Sequence, residues 1–383
     1  MGYFCIAAMI KQLRAVFVLT ATLIFLTPSA NAQLLKRFFG PPDNTTAKTK
    51  RHKILAIPVI SRAPETDWTF GAAGTWLFKT SSKDTLLRTS NLQLIGIYTL
   101  RKQYVGQLDA NIVFPRERWY LKMHASLSRF PDTFWGVGNN MPDNNKEGYA
   151  FSQYHINPTL MRMIRPKLFA GLIFDLQKFY NISYTPSGIF DQQQLPGRRG
   201  SLISGTGVTF LLDSRDNLYN AYKGWYTQFT SIFYGKAFGS QFTYNQLIID
   251  TRKYINVYRK HVLALQAYFE YNGPGTAPFR NLARMGGPER MRGYYSGRFT
   301  DRAHMCYQAE YRFPIWWRFG ATVFAALGEV APSFGKMSIN GLKYTYGAGL
   351  RFAANRMERI NFRFDYGFRK GGGDYYFTVA EAF

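Results

Sequence analysis

From about residue 54 to Phe383 the chain repeats one pattern: ten or so residues alternating between apolar and polar, then turn residues, then the same again. Residues 223–235, Lys-Gly-Trp-Tyr-Thr-Gln-Phe-Thr-Ser-Ile-Phe-Tyr-Gly, show it, and 167–181, 241–254, 260–272, 341–354 and 358–368 behave similarly. Period two sends successive side chains to opposite faces of a strand. A tilted strand of about nine to eleven residues crosses a bilayer. Strand after strand of this length predicts an all-β protein, a transmembrane antiparallel β-barrel spanning residues 54–383. Aromatics at strand ends suit the two membrane interfaces. Trp119-Tyr120, Tyr219 with Tyr222, Tyr254 with Tyr258, and Trp316-Trp317 occupy such positions.

Segmentation predicts strands near 54–61, 67–79, 88–99, 103–114, 117–129, 149–163, 167–181, 200–213, 223–235, 241–254, 260–272, 302–314, 318–331, 341–354, 358–369 and 374–383, about 16 in all. An even number lets a bacterial barrel close without an edge in lipid. Such barrels begin and end in the periplasm, with short turns there and longer loops outside. Counting back from Phe383, the long connections 130–148, 182–199 and 273–301 fall outside, and 164–166, 315–317 and 355–357 inside. Parity places 214–222 inside despite its length. A soluble sandwich or propeller would also alternate, but a chain with 17% aromatics and 19% charged residues fits it less well. Membrane helices need runs of about 20 apolar residues, and none follows the N-terminal segment.

That segment reads as an export signal over residues 1–32. Lys11 and Arg14 precede the apolar run Ala15–Leu26, and Ala30-Asn31-Ala32 offers a small-residue cleavage site. Met9 is a plausible start. Residues 33–53 form a short periplasmic leader. With Cys5 in the signal, only Cys306 remains, so no internal disulfide is expected. The net charge of +25 would suggest nucleic acid in a cytosolic protein. For an exported chain the anionic partners are lipid phosphates and lipopolysaccharide in the bacterial outer membrane.

One connection has a character of its own. Gly286-Gly287-Pro288-Glu289-Arg290-Met291-Arg292-Gly293-Tyr294 lies in a stretch far longer than a hairpin needs. In a confined lumen, the planar guanidinium of Arg292 is best met by carboxylates.

Residues 200–383 resemble the surface-antigen barrel of the BamA/TamA outer-membrane assembly superfamily. Met291-Arg292-Gly293-Tyr294 is similar to that family's V-R-G-F/Y tip of the sixth outer loop. Asp213-Ser214-Arg215-Asp216 with Gly224 is similar to its D-x-R-D…G stretch. Glu310-Tyr311-Arg312-Phe313-Pro314 is similar to E-x-R-F-P, and the aromatic ending through Phe383 resembles a C-terminal assembly signal. Residues 60–79, with Pro64-Glu65-Thr66, are also similar to the start of short members. The resemblance implies a sixth loop folded back into the lumen, with Arg292 on an acidic group of the inner wall. The usual acid is missing: the strand that should read F-x-D-x-G is Phe324-Ala325-Ala326-Leu327-Gly328. Asp365, Glu310 or Glu329 must replace it, Asp365 first; Arg298→Ala serves as the neighbouring control if that residue is solvated. The 33–53 leader is too short for a POTRA module. The implied function is non-enzymatic assistance to protein insertion or translocation, or lipid handling, through a labile seam between a short first strand and the last. Client proteins and partner subunits would join in. The alternative is a passive structural or narrow-pore barrel within a larger complex.

Catalytic readings are poor. The histidines are His52, His124, His155, His261 and His304. His124 lies close to Ser126 and Ser128, but residues two apart on a strand merely share a face, and no orienting third group is evident. No Cys/His spacing suits a metal, and no cofactor is expected.

Overall fold

A computed structural model describes residues 52–63, 67–81, 84, 87–100, 102–356 and 358–383. The export signal, nearly all of the leader and Pro64-Glu65-Thr66 lie outside the described residues. One 16-stranded antiparallel meander runs through β1 (His52–Ala63), β2 (Asp67–Phe78), β3 (Ser90–Thr99), β4 (Tyr104–Val113), β5 (Trp119–Phe134), β6 (Glu147–Arg165), β7 (Leu168–Ser183), β8 (Ser201–Asp213), β9 (Gly224–Tyr234), β10 (Tyr244–Tyr258), β11 (His261–Gly275), β14 (Ala303–Trp316), β15 (Phe319–Ala331), β16 (Lys343–Asn355), β17 (Ile360–Arg369) and β18 (Gly372–Val379). Between β11 and β14 a small separate hairpin pairs β12 (Ala283–Met285) with β13 (Phe299–Asp301). Among the described residues no helix is long and apolar enough to cross a membrane.

β17 shows how the pleat sorts side chains. Phe364, Tyr366 and Phe368 are about half exposed on the lipid side, while Asn361, Arg363 and Asp365 are buried on the other. β14 does the same, with Tyr307 outward and His304, Gln308, Glu310 and Arg312 inward. A polar inner face with an apolar outer face is what a barrel in lipid requires. Contacts between strands far apart in order bring those inner faces together. Lys122 Nζ on β5 reaches Tyr226 Oη and Gln228 Oε1 on β9 at 3.3 and 3.2 Å.

The 214–223 connection falls on the same rim as the β16–β17 turn, as parity requires. Arg359 donates to Asp216 at 2.7 Å and Asn217 to the Glu358 carbonyl at 3.2 Å. Gly224 opens β9 at φ 117°, where a Cβ would stand 2.4 Å from the Ser214 carbonyl oxygen, so only glycine fits. Asp213 is buried and takes two bonds from Arg215, 2.9 and 3.0 Å, and one from Arg88, 3.1 Å.

Three expectations need correction. The 130–148 connection is shorter, because β5 and β6 stay paired from Phe130↔Phe151 to Phe134↔Glu147. Pro131 and Asp132 disguise the end of β5, where Phe134 packs with Tyr149 and Phe151 of β6. The first strand is not short: all 12 of its residues pair with β2. The short strand is the last, 8 residues, ending at Val379 instead of 383. Ala380–Phe383 leave the sheet, and Ala382 and Phe383 pack on Tyr254, Val262 and Ala264.

Candidate functional site: the buried loop arginine

The loop between β11 and β14 turns its tip onto the inner wall. Arg292 is 1% exposed and lies between two fully buried carboxylates. Its Nη1 donates to Asp365 Oδ2 on β17 and its Nη2 to Glu310 Oε2 on β14, both at 2.5 Å. The guanidinium carbon also stands 3.6 Å from the centre of the Phe324 ring on β15, a cation–π contact. A planar fork bonding two acids while stacking on a ring is a task for arginine and not for lysine.

The acids are shared. Arg312 Nε donates to Glu310 Oε1 at 2.7 Å, and Arg351 Nη1 to Asp365 Oδ1 at 2.5 Å. Arg351 Nε bonds Glu381 at 2.8 Å, and Asn361 donates to the same carboxylate at 2.7 Å. Arg363 Nη2 donates to the Pro288 carbonyl of the loop at 3.0 Å. Arg312 Nη2 donates to the backbone oxygen of Phe383 at 2.9 Å. The cluster therefore joins the loop, β14, β16, β17 and the residues after β18.

Beside it the backbone makes a second attachment. Gly293, at φ 113°, lies flat against Gly367 of β17: a Cβ on Gly293 would be 3.0 Å from the Gly367 backbone, and one on Gly367 2.5 Å from Arg292. Two glycines are needed for that approach. The Gly293 amide donates to Tyr376 Oη on β18, which in turn donates to the Tyr294 carbonyl, each at 2.9 Å. Met291 and Tyr294 are buried with Met285, Phe299, Cys306 and Ala326.

Further out, Asp132 at the end of β5 accepts from Arg280 at 2.7 Å, Arg284 at 2.9 Å and Tyr295 at 3.0 Å. Burial and the Asp132 charge push the Tyr295 hydroxyl above its ordinary pKa, so it remains a donor. Arg298 donates to Asp143 at 2.7 Å and to the Met141 carbonyl at 2.6 Å. The hydrogen bond from Arg298 holds the Asp143 carboxyl below its usual range.

Asp365 and Glu310, both named from the sequence, thus meet Arg292 together. Glu329 does not: it has the strand parity of Val323, Ala325 and Leu327, opposite to Phe324, and accepts from the Ser338 amide at 3.0 Å. Arg298 is not solvated but 4% exposed against Asp143, because the β12–β13 hairpin carries it under the 135–145 loop. Phe383 is buried off the sheet, not in a terminal strand. Arg312 entered only as part of the Glu310–Pro314 motif with no partner assigned, and Arg351, Arg363, Glu381 and Tyr376 were missed as site residues. Period two could have found two of them, since Arg312 and Arg363 share faces with Glu310 and Asp365. Among the described residues no group of His, Cys, Asp and Glu is arranged to hold a metal.

The Omp85 superfamily domain matches residues 93–380. Three solved barrels have the same fold. BamA from Haemophilus ducreyi lacking POTRA domains 1–3 is 14% identical, with a TM-score of 0.53 over 86% of this chain and 69% of that one. CdiB from Escherichia coli is 12% identical, TM-score 0.53, over 86% of this chain and 62% of its own. CdiB from Acinetobacter baumannii is 11% identical, TM-score 0.52, over 86% and 59%. The chain thus spans less than two thirds of either CdiB. No curated protein matches the sequence.

Proposed function

From the premise that the chain belongs to the Omp85 superfamily, we propose that this outer-membrane barrel assists insertion or translocation of protein by parting at the seam between β1 and β18. The observation that carries the proposal is the asymmetry around that seam. The loop tip fastens β14, β17 and β18 through Arg292, Gly293 and Tyr376. On the other side β1 is paired along its whole length with β2, and among the described residues no ladder joins β1 to β18. The C-terminal edge is therefore latched to its neighbours by the loop while β1 is held by its ladder to β2 alone, and the weak line lies between them. β18 is also the shortest strand of the large sheet, so few backbone bonds would have to be broken or remade there. A client strand could add to such an edge by main-chain hydrogen bonds.

The alternative of an open pore is disfavoured by the outer mouth, where Arg280, Arg284 and Tyr295 converge on Asp132 and Phe134, Phe190 and Phe279 pack together. Lipid handling at the parted seam uses the same opening. The test is a set of cysteine pairs across β1 and β18, with buried Cys306 left in place. Oxidation should abolish insertion of a client barrel into vesicles containing the protein, and reduction should restore it. Undiminished insertion with the seam locked would end the proposal.

A further inference from the structure

On the inner face at the β4–β5 pair, far from the loop cluster in strand order, three side chains form a chain of hydrogen bonds. Asp109 Oδ1 meets His124 Nδ1 at 2.7 Å, and His124 Nε2 meets Ser126 Oγ at 3.1 Å. Asp109 and His124 are direct cross-strand partners, and His124 and Ser126 are two apart on one strand and so share its face. We propose that Asp109, His124 and Ser126 are a serine-hydrolase triad opening into the lumen, acting on small water-soluble esters.

The geometry assigns each role. Asp109 also accepts from Gln107 at 2.5 Å, so each of its oxygens takes one donor. It therefore fixes the Nδ1–H tautomer of His124 and leaves the Nε2 lone pair facing the serine hydroxyl. The Ser126 Oγ–H proton passes to Nε2 as Oγ bonds the acyl carbon. The acyl C–O bond breaks and the departing alkoxide takes that proton from Nε2. Water, deprotonated by the same nitrogen, then attacks the acyl-serine and releases the acid with Ser126 restored. Cross-strand from Ser126 is His155, whose ring centre lies 4.9 Å from that of His124. Its Nε2 is tied at 2.7 Å to Asp175, a buried carboxylate that also accepts from Asn157, Gln177 and Tyr234.

The site is reachable. Asp109 and His124 are about 30% exposed, and the face is the luminal one, because Lys122 on it crosses to β9 while Leu127, of opposite parity, faces lipid. Nothing in the loop cluster takes part, so this activity and the seam can fail independently.

The experiment is fluorophosphonate labelling of the full-length protein in detergent, with the modified peptide identified by mass spectrometry, beside hydrolysis of p-nitrophenyl butyrate. Expected are phosphonylation of Ser126 and not of Ser128, and hydrolysis that falls by roughly 100-fold or more in Ser126→Ala and His124→Gln. Asp109→Asn should lower kcat with little change in KM, while Ser128→Ala leaves the rate alone. Labelling is read on the unaltered protein, so a variant that misfolds does not blur the result. A folded, heat-modifiable protein whose Ser126 stays unmodified, or hydrolysis that survives Ser126→Ala, would overturn the proposal and leave a structural hydrogen-bond chain.

Discussion

Arg292→Ala removes two charge-assisted bonds of 2.5 Å and the contact with Phe324. Each bond to a charged group contributes about 1.5–3 kcal/mol. The two carboxylates left behind are fully buried, and removing one partner of a buried ion pair typically costs about 3–5 kcal/mol. Here neither acid is left bare, since Arg351 still bonds Asp365 and Arg312 still bonds Glu310. The lower end, about 3 kcal/mol, is therefore expected, on the order of a 100-fold shift toward the unfolded state. Arg292→Lys should recover only part, because a point charge cannot bond two separated acids and stack on a ring. The control is Arg199→Ala, an exposed loop arginine, expected within about 0.5 kcal/mol of the parent. Arg298 cannot serve, being itself buried against Asp143. The assay is urea unfolding in detergent micelles, followed by the loss of the fast-migrating form on unheated gels. If Arg292→Ala and Arg199→Ala unfold together, the loop arginine is not an anchor and the latch reasoning fails.

Two further outcomes are expected. Gly367→Ala should free the loop without touching any charge, since its Cβ would sit 2.5 Å from Arg292; protease cleavage within residues 286–297 should appear in it and not in the parent. The tie between the two inner turns should depend on pH: burial alone would raise the pKa of Asp216, but the bonds from Arg359 and the Tyr222 and Lys223 amides hold it below its ordinary value. A depressed pKa stabilises the fold above the unfolded-state value near ~3.9 and ceases to do so as pH falls through the folded value. Asp216→Asn should thus melt below the parent at pH 7, with the gap closing as pH falls through the depressed folded-state value.

Strand positions were legible because period two and turn residues act locally. Segments such as 67–79, 318–331 and 358–369 differ from the observed strands by a residue or two. The β12–β13 hairpin was not legible: three-residue strands carry no period, and they form only because the loop is packed under the outer mouth. The loop arginine and its acids were partly legible. Asp365 shows as an acid within an alternating strand, but its meeting with Glu310 depends on barrel curvature, which no local pattern encodes. The triad was hidden for a different reason: Asp109 is 15 residues from His124 and meets it only through the β4–β5 register, which turn position sets and composition does not show.

The displaced acid bears on how the seam would work. In the family pattern the carboxylate sits where this chain has Ala326, on β15. Here Ala326 instead packs with Met285 and Met291, and Phe324, two residues earlier, presents its ring to Arg292. An acid at 326 would stand among methionines and aromatics, where an unpaired charge is strongly disfavoured. With Asp365 in its place the arginine is anchored two strands nearer the end of the sheet, next to β18, which the Gly293–Tyr376 bond already holds. The loop then grips the C-terminal edge and not the middle of the wall. Movement of that edge away from β1 must either carry the loop tip along or break the Arg292 bonds. The four arginines around three acids make the second route the costlier one, because each carboxylate is held by more than one donor. A seam that opens in this barrel should therefore part with β14 to β18 and the loop moving as one body, and the strain should fall on β1 and β2.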